Sequence, residues 1–469
     1  MRSQHRFAAR VLGMLGVLAV VLLGIGAPAG AQQQGPTNDP GSRFQWHLDA
    51  IGAPAAWPAS TGKGATIAVV DTGVDLDHVD LNADGKIAGA ATCLGTDGDP
   101  SKCTTGGHDD GRDDDGHGTH VAGIAAAVTG DGVGVAGVAP DAQILAVKVL
   151  KETCGGVLNQ GCDATGTASD VVAGIEWAIA NGATVINLSL GSSTQAVFGP
   201  AFAQAIEDAW NAGVIAVVAA GNDFILGSGF KDNHAIVVGA LNRAGTKASY
   251  SNGVGQAKWG ISAPGGESDD SGSCETAPQG ILSTYWVSGS ANSYACLAGT
   301  SMAAPQVAAA AAILRSAGLS PQDTVDRLLS TARDIGPSGT DATYGAGALD
   351  LAAATNGLAT NTTGATPPVT NVPTTDSSTP ATDVPATVGL PSSAGPTTTA
   401  VAPIVELPTT APPSTHAQQA VGVPLGVKPD DDLPPLAVTA AVLLAGSVGA
   451  ASGWMLVRGA GWARRTPGA

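Results

Sequence analysis

Short, unbroken apolar runs separated by polar, glycine-containing breaks set the rhythm of the first 350 or so residues. Ala65-Thr66-Ile67-Ala68-Val69-Val70 has the pattern of a strand buried on both faces, and it closes on Asp71-Thr72-Gly73. Similar runs recur at Ile144 to Leu150, Val185 to Leu190, Val214 to Ala219 and Ile236 to Leu241. Between and after them lie stretches of helical character: His117 to Val128, Ser169 to Asn181, Ala201 to Asn211, the alanine-rich Ala303 to Ala317, and Pro321 to Arg333. Strands alternating with helices predict a parallel sheet with helices on both faces. Phe44 to Trp57 reads as an ordered lead-in and Gly345 to Asp350 as the closing edge, so the folded domain is expected over 44–355.

The patterning changes at both ends. Arg2, Arg6 and Arg10 precede an apolar run, Val11 to Ile25, and then the small residues Ala27 to Ala31. Residues 1–31 therefore read as a cleaved secretory signal, and 32–43 as a flexible polar segment. Over 356–435 Thr, Pro, Ser, Ala and Val dominate, a composition that cannot bury a core and is expected to form a disordered stalk. Leu436 to Val457 is apolar, uncharged and long enough to span a bilayer. Asp430 to Asp432 precede it; Arg458, Arg464 and Arg465 follow. The positive-inside rule then puts the tail, 458–469, in the cytoplasm. The expectation is a single-pass cell-membrane protein, attached to the membrane through its C-terminal helix, with its folded domain outside.

Composition narrows the function classes. A net charge of −18 argues against nucleic acid as a partner. Aromatics make up only 4% of a chain with 65 glycines, which favours layers in close backbone contact. Six cysteines suit an oxidising location. Fifteen connectivities are open to them, and proximity favours Cys93 with Cys103, Cys154 with Cys162, and Cys274 with Cys296. The absence of C-x-x-C spacing speaks against a redox or metal role.

In a doubly wound sheet, functional groups gather at the carboxyl ends of strands. Asp71 ends one such strand, and Gly221-Asn222 close another. Gly116-His117-Gly118-Thr119-His120 puts a histidine between glycines at a helix start, where an imidazole titrating near neutrality suits a general base. His117 and His120 are three apart and could share a zinc ion, but neither H-E-x-x-H nor a third nearby ligand follows. His120 reads as a satisfied structural group. Gly299-Thr300-Ser301 sets a serine at the mouth of the alanine-rich run, and a serine hydroxyl needs a base and oxyanion donors to act as a nucleophile.

Together, Asp71-Thr72-Gly73, Gly116-His117-Gly118-Thr119-His120 and Gly299-Thr300-Ser301-Met302-Ala303-Ala304-Pro305 resemble the three signatures of the subtilisin-like serine proteases, whose chain order is likewise Asp, His, Ser. The resemblance covers about 44–355. It implies a three-layer α/β fold with a mainly parallel seven-stranded sheet, here followed by the transmembrane helix. It also implies hydrolysis of polypeptide substrates through an acyl-enzyme, with Ser301 as nucleophile, His117 as base and Asp71 as its orienter. Ala219-Ala220-Gly221-Asn222 matches the family's oxyanion segment, so the Asn222 amide would act beside the Ser301 backbone N–H. Ser189-Leu190-Gly191 matches the edge along which substrate is laid as an added strand. Asp223, beside Gly221 and Asn222, would favour polar or basic side chains at the first specificity pocket, or else is a solvated loop acid.

Calcium is the cofactor the resemblance implies. Asp80 matches the family's aspartate at its tight site. The loop Val128 to Val135 matches its carbonyl loop, with Val128, Val133 and Val135 offering oxygens and Asp131 standing where asparagine is usual. The acidic run Asp109, Asp110, Asp113, Asp114 and Asp115 reads as a solvated loop, with a second ion as the alternative. Secreted members of the family usually carry a prodomain. Only 32–43 separate signal from domain here, which implies folding without such help or with disulfides and calcium in its place. The layout also resembles the mycosins, membrane-anchored subtilases of type VII secretion systems. That leaves a second reading, a component that mainly scaffolds a secretion complex.

Overall fold

The computed structural model describes residues 36–154, 162–190, 195–222, 230–267, 274 and 279–358. The expected signal, most of the stalk, the membrane helix and the tail lie outside the described residues, as do Gly191 and Asp223. No helix of the described residues is long and apolar enough to cross a membrane.

Twelve strands are described: β1 Thr66–Asp71, β2 Ile87–Thr92, β3 Thr104–Thr105, β4 Gln143–Lys148, β5 Lys151–Cys154, β6 Cys162–Thr165, β7 Val185–Leu188, β8 Ile215–Ala219, β9 Ala235–Leu241, β10 Trp259–Pro264, β11 Ile281–Val287 and β12 Ser290–Leu297. The main sheet runs β10-β9-β8-β7-β1-β4-β2-β3. Its pairs are parallel except β2 with β3. The expected seven strands are thus extended by an eighth, the two-residue β3. Its residues are exposed and polar, with no apolar run to reveal it. β5 pairs with β6 and β11 with β12 as separate hairpins.

The helices are α1 Trp46–Ile51, α2 Ala53–Ala56, α3 His117–Ala126, α4 Ala168–Ala180, α5 Gln195–Asn211, α6 Thr300–Ser316, α7 Pro321–Thr331 and α8 Leu351–Thr355. α5 is broken at Gly199, ahead of Pro200. Alternate residues of β1 feed opposite faces of the sheet: Ile67 and Val69 join one core with α3 and α6, Ala68 and Val70 another with α4 and α5. Each such side chain withdrawn from water contributes about 1.5–3 kcal/mol, which is why a continuous apolar run is stable only at the centre of three layers.

α6 is buried over most of its length. From Met302 to Leu314 every residue is buried, because α3 lies on one side and β7 to β10 on the other. Alanine is what such a helix needs, since larger side chains would hold those neighbours off. The hairpin β11–β12 clamps α3 from outside: Ser283 Oγ donates to His120 O (2.8 Å) and Thr284 Oγ1 to Thr119 O (2.7 Å).

Packing begins ahead of Phe44. Asp39 is buried and accepts from Gly130 N and Gly132 N, and Gly41 N donates to Gly134 O (2.7 Å). Cys93–Cys103 and Cys274–Cys296 are disulfides, and Cys154 faces Cys162 in register across β5–β6.

Candidate functional site

The strand order reverses between β1 and β7, and an open α/β sheet has its crevice outside the carboxyl ends of such strands. Asp71 ends β1 and Ser189 follows β7 directly. α3 and α6, which start with His117 and Thr300, pack together.

Asp71 is fully buried. Its Oδ1 accepts from His117 Nδ1 (2.7 Å) and from its neighbour's amide, Thr72 N (2.7 Å), while Oδ2 has no partner among the described residues. With Nδ1 donating, the imidazole presents Nε2 as an acceptor. A Cβ on Gly118 would come within 2.1 Å of Gly73 O, so only glycine lets the first turn of α3 sit against the end of β1. Burial opposes charge on His117, but Asp71, its hydrogen bond, Asp115 and Asp113 outweigh that and raise the imidazole above the ordinary histidine value. Its side chain keeps 27% exposure, enough to meet a substrate.

Ser301 is the second residue of α6, and the amides of a helix's first turn have no partner within the helix. Pro305 has no N–H to donate to the Ser301 carbonyl. Ser189 Oγ donates there instead (2.9 Å) and is itself held by Asn187 Nδ2 (2.9 Å). Ser301 Oγ donates to Ser189 O at 3.4 Å. Asn222 Oδ1 accepts from Thr300 N (3.1 Å) and Thr300 Oγ1 (3.0 Å), which fixes the amide so that Nδ2 is the donor left over. Gly221, at φ +87°, donates its N–H to Thr300 Oγ1 (3.1 Å). Leu190 is buried.

Two histidine readings separate here. His120 is buried and its Nε2 lies 3.1 Å from both Ile281 O and Ala295 O. It is therefore a core group whose Nε2 ties α3 to the hairpin. The acidic run is not uniformly solvated. Asp113 is buried, Asp114 pairs with Lys148 Nζ (2.6 Å), and Asp110 accepts from Gly107 N (2.7 Å). Among the described residues no three acidic side chains of this run cluster as an ion site.

Sequence reading missed Lys148. It is buried at the end of β4, in register with Asp71, and also donates to Thr72 O (2.6 Å). A lysine interrupting an apolar run was the available signal.

Asp80 is fully buried, and burial pushes it up to about 7. Its Oδ2 accepts from Val135 N (2.9 Å); its Oδ1 and the adjacent Tyr294 Oη lack aligned partners. The carbonyl oxygens of Val128, Val133 and Val135 accept no hydrogen bond among the described residues. Asp131 is exposed and its Oδ1 accepts from Val133 N (2.9 Å). Among the described residues no three His, Cys, Asp or Glu side chains cluster as a metal site. The fit to calcium therefore rests on one buried, under-satisfied carboxylate and a set of free carbonyl oxygens.

Comparison with known proteins falls on this same region. The sequence model described as the subtilase family matches residues 62–347. Thermitase of Thermoactinomyces vulgaris is 38% identical over 306 residues, 65% of this chain and 94% of that protein. Subtilisin DY of Bacillus licheniformis is 36% identical, over 62% of this chain and 91% of that protein. A solved protease structure from Pseudoalteromonas arctica PAMC 21717 superposes with a TM-score of 0.55 at 33% identity, covering 68% of this chain and 98% of that one.

Proposed function

Since this chain belongs to the subtilase family of serine proteases, we propose that it cleaves peptide bonds with Ser301, His117 and Asp71 as its catalytic triad. The observation that carries the assignment is the 2.7 Å contact between His117 Nδ1 and the buried Asp71 Oδ1, which fixes the tautomer a general base needs.

In the first half-reaction His117 Nε2 takes the Ser301 Oγ proton as Oγ bonds to the scissile carbonyl carbon. The resulting oxyanion is met by the Ser301 amide at the start of α6, where the helix dipole adds to the field, and by Asn222 Nδ2. His117 then gives its proton to the leaving amine, and an acyl-Ser301 ester remains. Water repeats the sequence: His117 takes its proton, the hydroxyl bonds to the acyl carbon, and Ser301 Oγ leaves reprotonated. Asp71 stays ionised and stabilises the imidazolium throughout. Ser189 and Leu190, directly after β7, would offer the edge for an extended substrate; the expectations for Gly191 and Asp223 lie outside the described residues.

Calcium would be held by Asp80 with carbonyl oxygens of Val128, Val133 and Val135. It would neutralise a buried carboxylate and brace the loop, and it enters no chemical step. The apolar runs at 11–25 and 436–457, with their flanking charges, support secretion and tethering. The domain would then act on polypeptides outside the membrane.

The test is labelling of the full chain by a fluorophosphonate probe. Modification of Ser301 that disappears in Ser301→Ala is expected. A wild-type protein that stays unlabelled would overturn the triad.

A further inference from the structure

A buried carboxylate that the hydrolytic steps do not use lies between the end of β1 and the start of α3. Asp113 is 5% exposed, and its oxygens accept five hydrogen bonds. Oδ1 takes Thr72 Oγ1 (2.8 Å), Asp115 N (3.0 Å) and Gly116 N (3.0 Å). Oδ2 takes Thr119 N (2.9 Å) and Thr119 Oγ1 (2.5 Å). The side chain cannot turn without leaving several buried donors unpaired.

Thr72 carries this constraint into the triad. Its Oγ1 accepts from Gly118 N (2.8 Å), its carbonyl from Lys148 Nζ (2.6 Å), and its N–H donates to Asp71 Oδ1 (2.7 Å). That oxygen is the one that receives His117 Nδ1. Asp113 therefore grips the turn headed by His117 with one face. With the other it grips the residue whose amide shares an oxygen with His117. Asp71 and His117 stand on different elements, and Asp113 bonds to the residue that follows the one and to the turn that the other opens.

We propose that Asp113 is a positioning residue for the Asp71–His117 pair, fixing through Thr72 and Thr119 the distance and angle at which Asp71 Oδ1 meets the imidazole. This rests on the reading of Ser301, His117 and Asp71 as the catalytic triad. Asp113 touches neither substrate nor reacting atoms. Its charge also faces His117, together with Asp71 and Asp115. Asp114 is occupied by Lys148, Tyr285 is pushed up to about 12 chiefly by burial, and His120 is pushed down to about 3 by burial. The plainer role, a cap for α3, would cost stability and leave the chemistry of His117 alone.

Asp113→Asn in the full chain separates the two. An amide can accept on one face only, so its NH2 group must confront donors on the other. We expect kcat to fall about 10- to 100-fold, as when a charge-assisted hydrogen bond is lost, with KM little changed. The acid limb of kcat/KM should move about half a unit to lower pH, because one negative charge facing His117 is gone. A lowered melting temperature with kcat and the acid limb unmoved would overturn the proposal. If Asp113→Asn does not fold, Thr72→Val is the second test: it removes the hydroxyl that joins Thr72 to Asp113, and with it the acceptor of Gly118 N, while the bonds from Asp113 to α3 stay in place. Thr72→Val should lower kcat, and Thr72→Ser, which keeps the hydroxyl, should restore it. Wild-type kcat in Thr72→Val sinks the idea. Probe labelling keeps the two failures apart. An unlabelled wild-type Ser301 defeats the triad itself, whereas a labelled wild type with unaffected variants defeats only the role of Asp113.

Discussion

Ser189 and Ser301 hold each other reciprocally: Ser189 Oγ donates to the Ser301 carbonyl at 2.9 Å, and Ser301 Oγ donates back to the Ser189 carbonyl at 3.4 Å. The first bond exists because Pro305, inside α6, cannot supply the usual helical donor. Ser189→Ala should therefore cost about 1–3 kcal/mol, the penalty of an acceptor left without a partner. Urea denaturation measures it, and an unshifted midpoint would show that water replaces the hydroxyl.

Asn222 is held by its oxygen through Thr300, which leaves its nitrogen as the donor the proposed mechanism aims at the oxyanion. Asn222→Ala should lower kcat about 100- to 1000-fold with KM nearly constant, the range set by removing the equivalent donor from a subtilisin. Steady-state kinetics on a peptide substrate reads this directly. A loss that appeared in KM alone would assign Asn222 to ground-state binding instead.

Acid should weaken the fold through two buried histidines. His47 is fully buried with neither ring nitrogen bonded among the described residues, and burial, then the nearby His120, push it down to about 3. His120 is likewise pushed down to about 3 by burial. Their folded values lie below the unfolded value of about 6.5, so between these limits the unfolded chain binds more protons. Stability is complete above about pH 6.5 and falls toward pH 3, by up to about 1.4 kcal/mol per unit for each histidine. Subtracting the pH–stability curve of His47→Phe from that of the wild type isolates one of them. Parallel curves would refute the assignment.

Gly118→Ala tests the contact between α3 and β1. The added methyl meets Gly73 O at 2.1 Å, a backbone atom that cannot swing aside. Overpacking of this kind costs about 1–3 kcal/mol. Here it should also lengthen the Asp71–His117 bond, so activity at 25 °C should fall more than the folded fraction does. Equal falls in both would mean that the helix accommodates the methyl without shifting His117.

Calcium should raise the melting temperature and a chelator lower it, with Asp80→Ala removing the response. The effect belongs to stability, so kcat measured well below the transition should not change with calcium. A calcium-independent melting temperature would leave Asp80 as a buried acid without that ligand.

Sequence and structure agree where one residue type determines the outcome. β1, β4, β7, β8 and β9 were legible because their runs of Val, Ile, Leu and Ala have no stable home except between two helical layers. β2 was hidden, since Ala88, Gly89, Ala90 and Ala91 carry little apolar signal. β10 was hidden by Gly260, Ser262 and Pro264. The hairpin β11–β12 was not picked out, because Ser283 and Thr284 interrupt the apolar run from Ile281 to Val287; their hydroxyls donate to carbonyls of α3 more than 160 residues away in sequence. The site divides in the same way. Asp71, His117 and Ser301 stand in local motifs. Lys148 and Asp113 act through contacts made only when β4 and the acidic segment reach the end of β1. A buried acid cannot be told from a solvated one inside a run of aspartates.

The depth of α6 bears on how this enzyme would wear out. A nucleophile on a surface loop can be lost by fraying while the rest of the molecule stays intact. Ser301, the proposed nucleophile, sits one residue before a stretch of helix with no exposed face from Met302 to Leu314, so it is expected to keep its place until that core opens. Heat inactivation and global unfolding should then be a single event. Partly damaged molecules should be rare, and a population losing activity should be a mixture of fully competent and fully dead enzymes, the dead ones serving as substrate for the survivors.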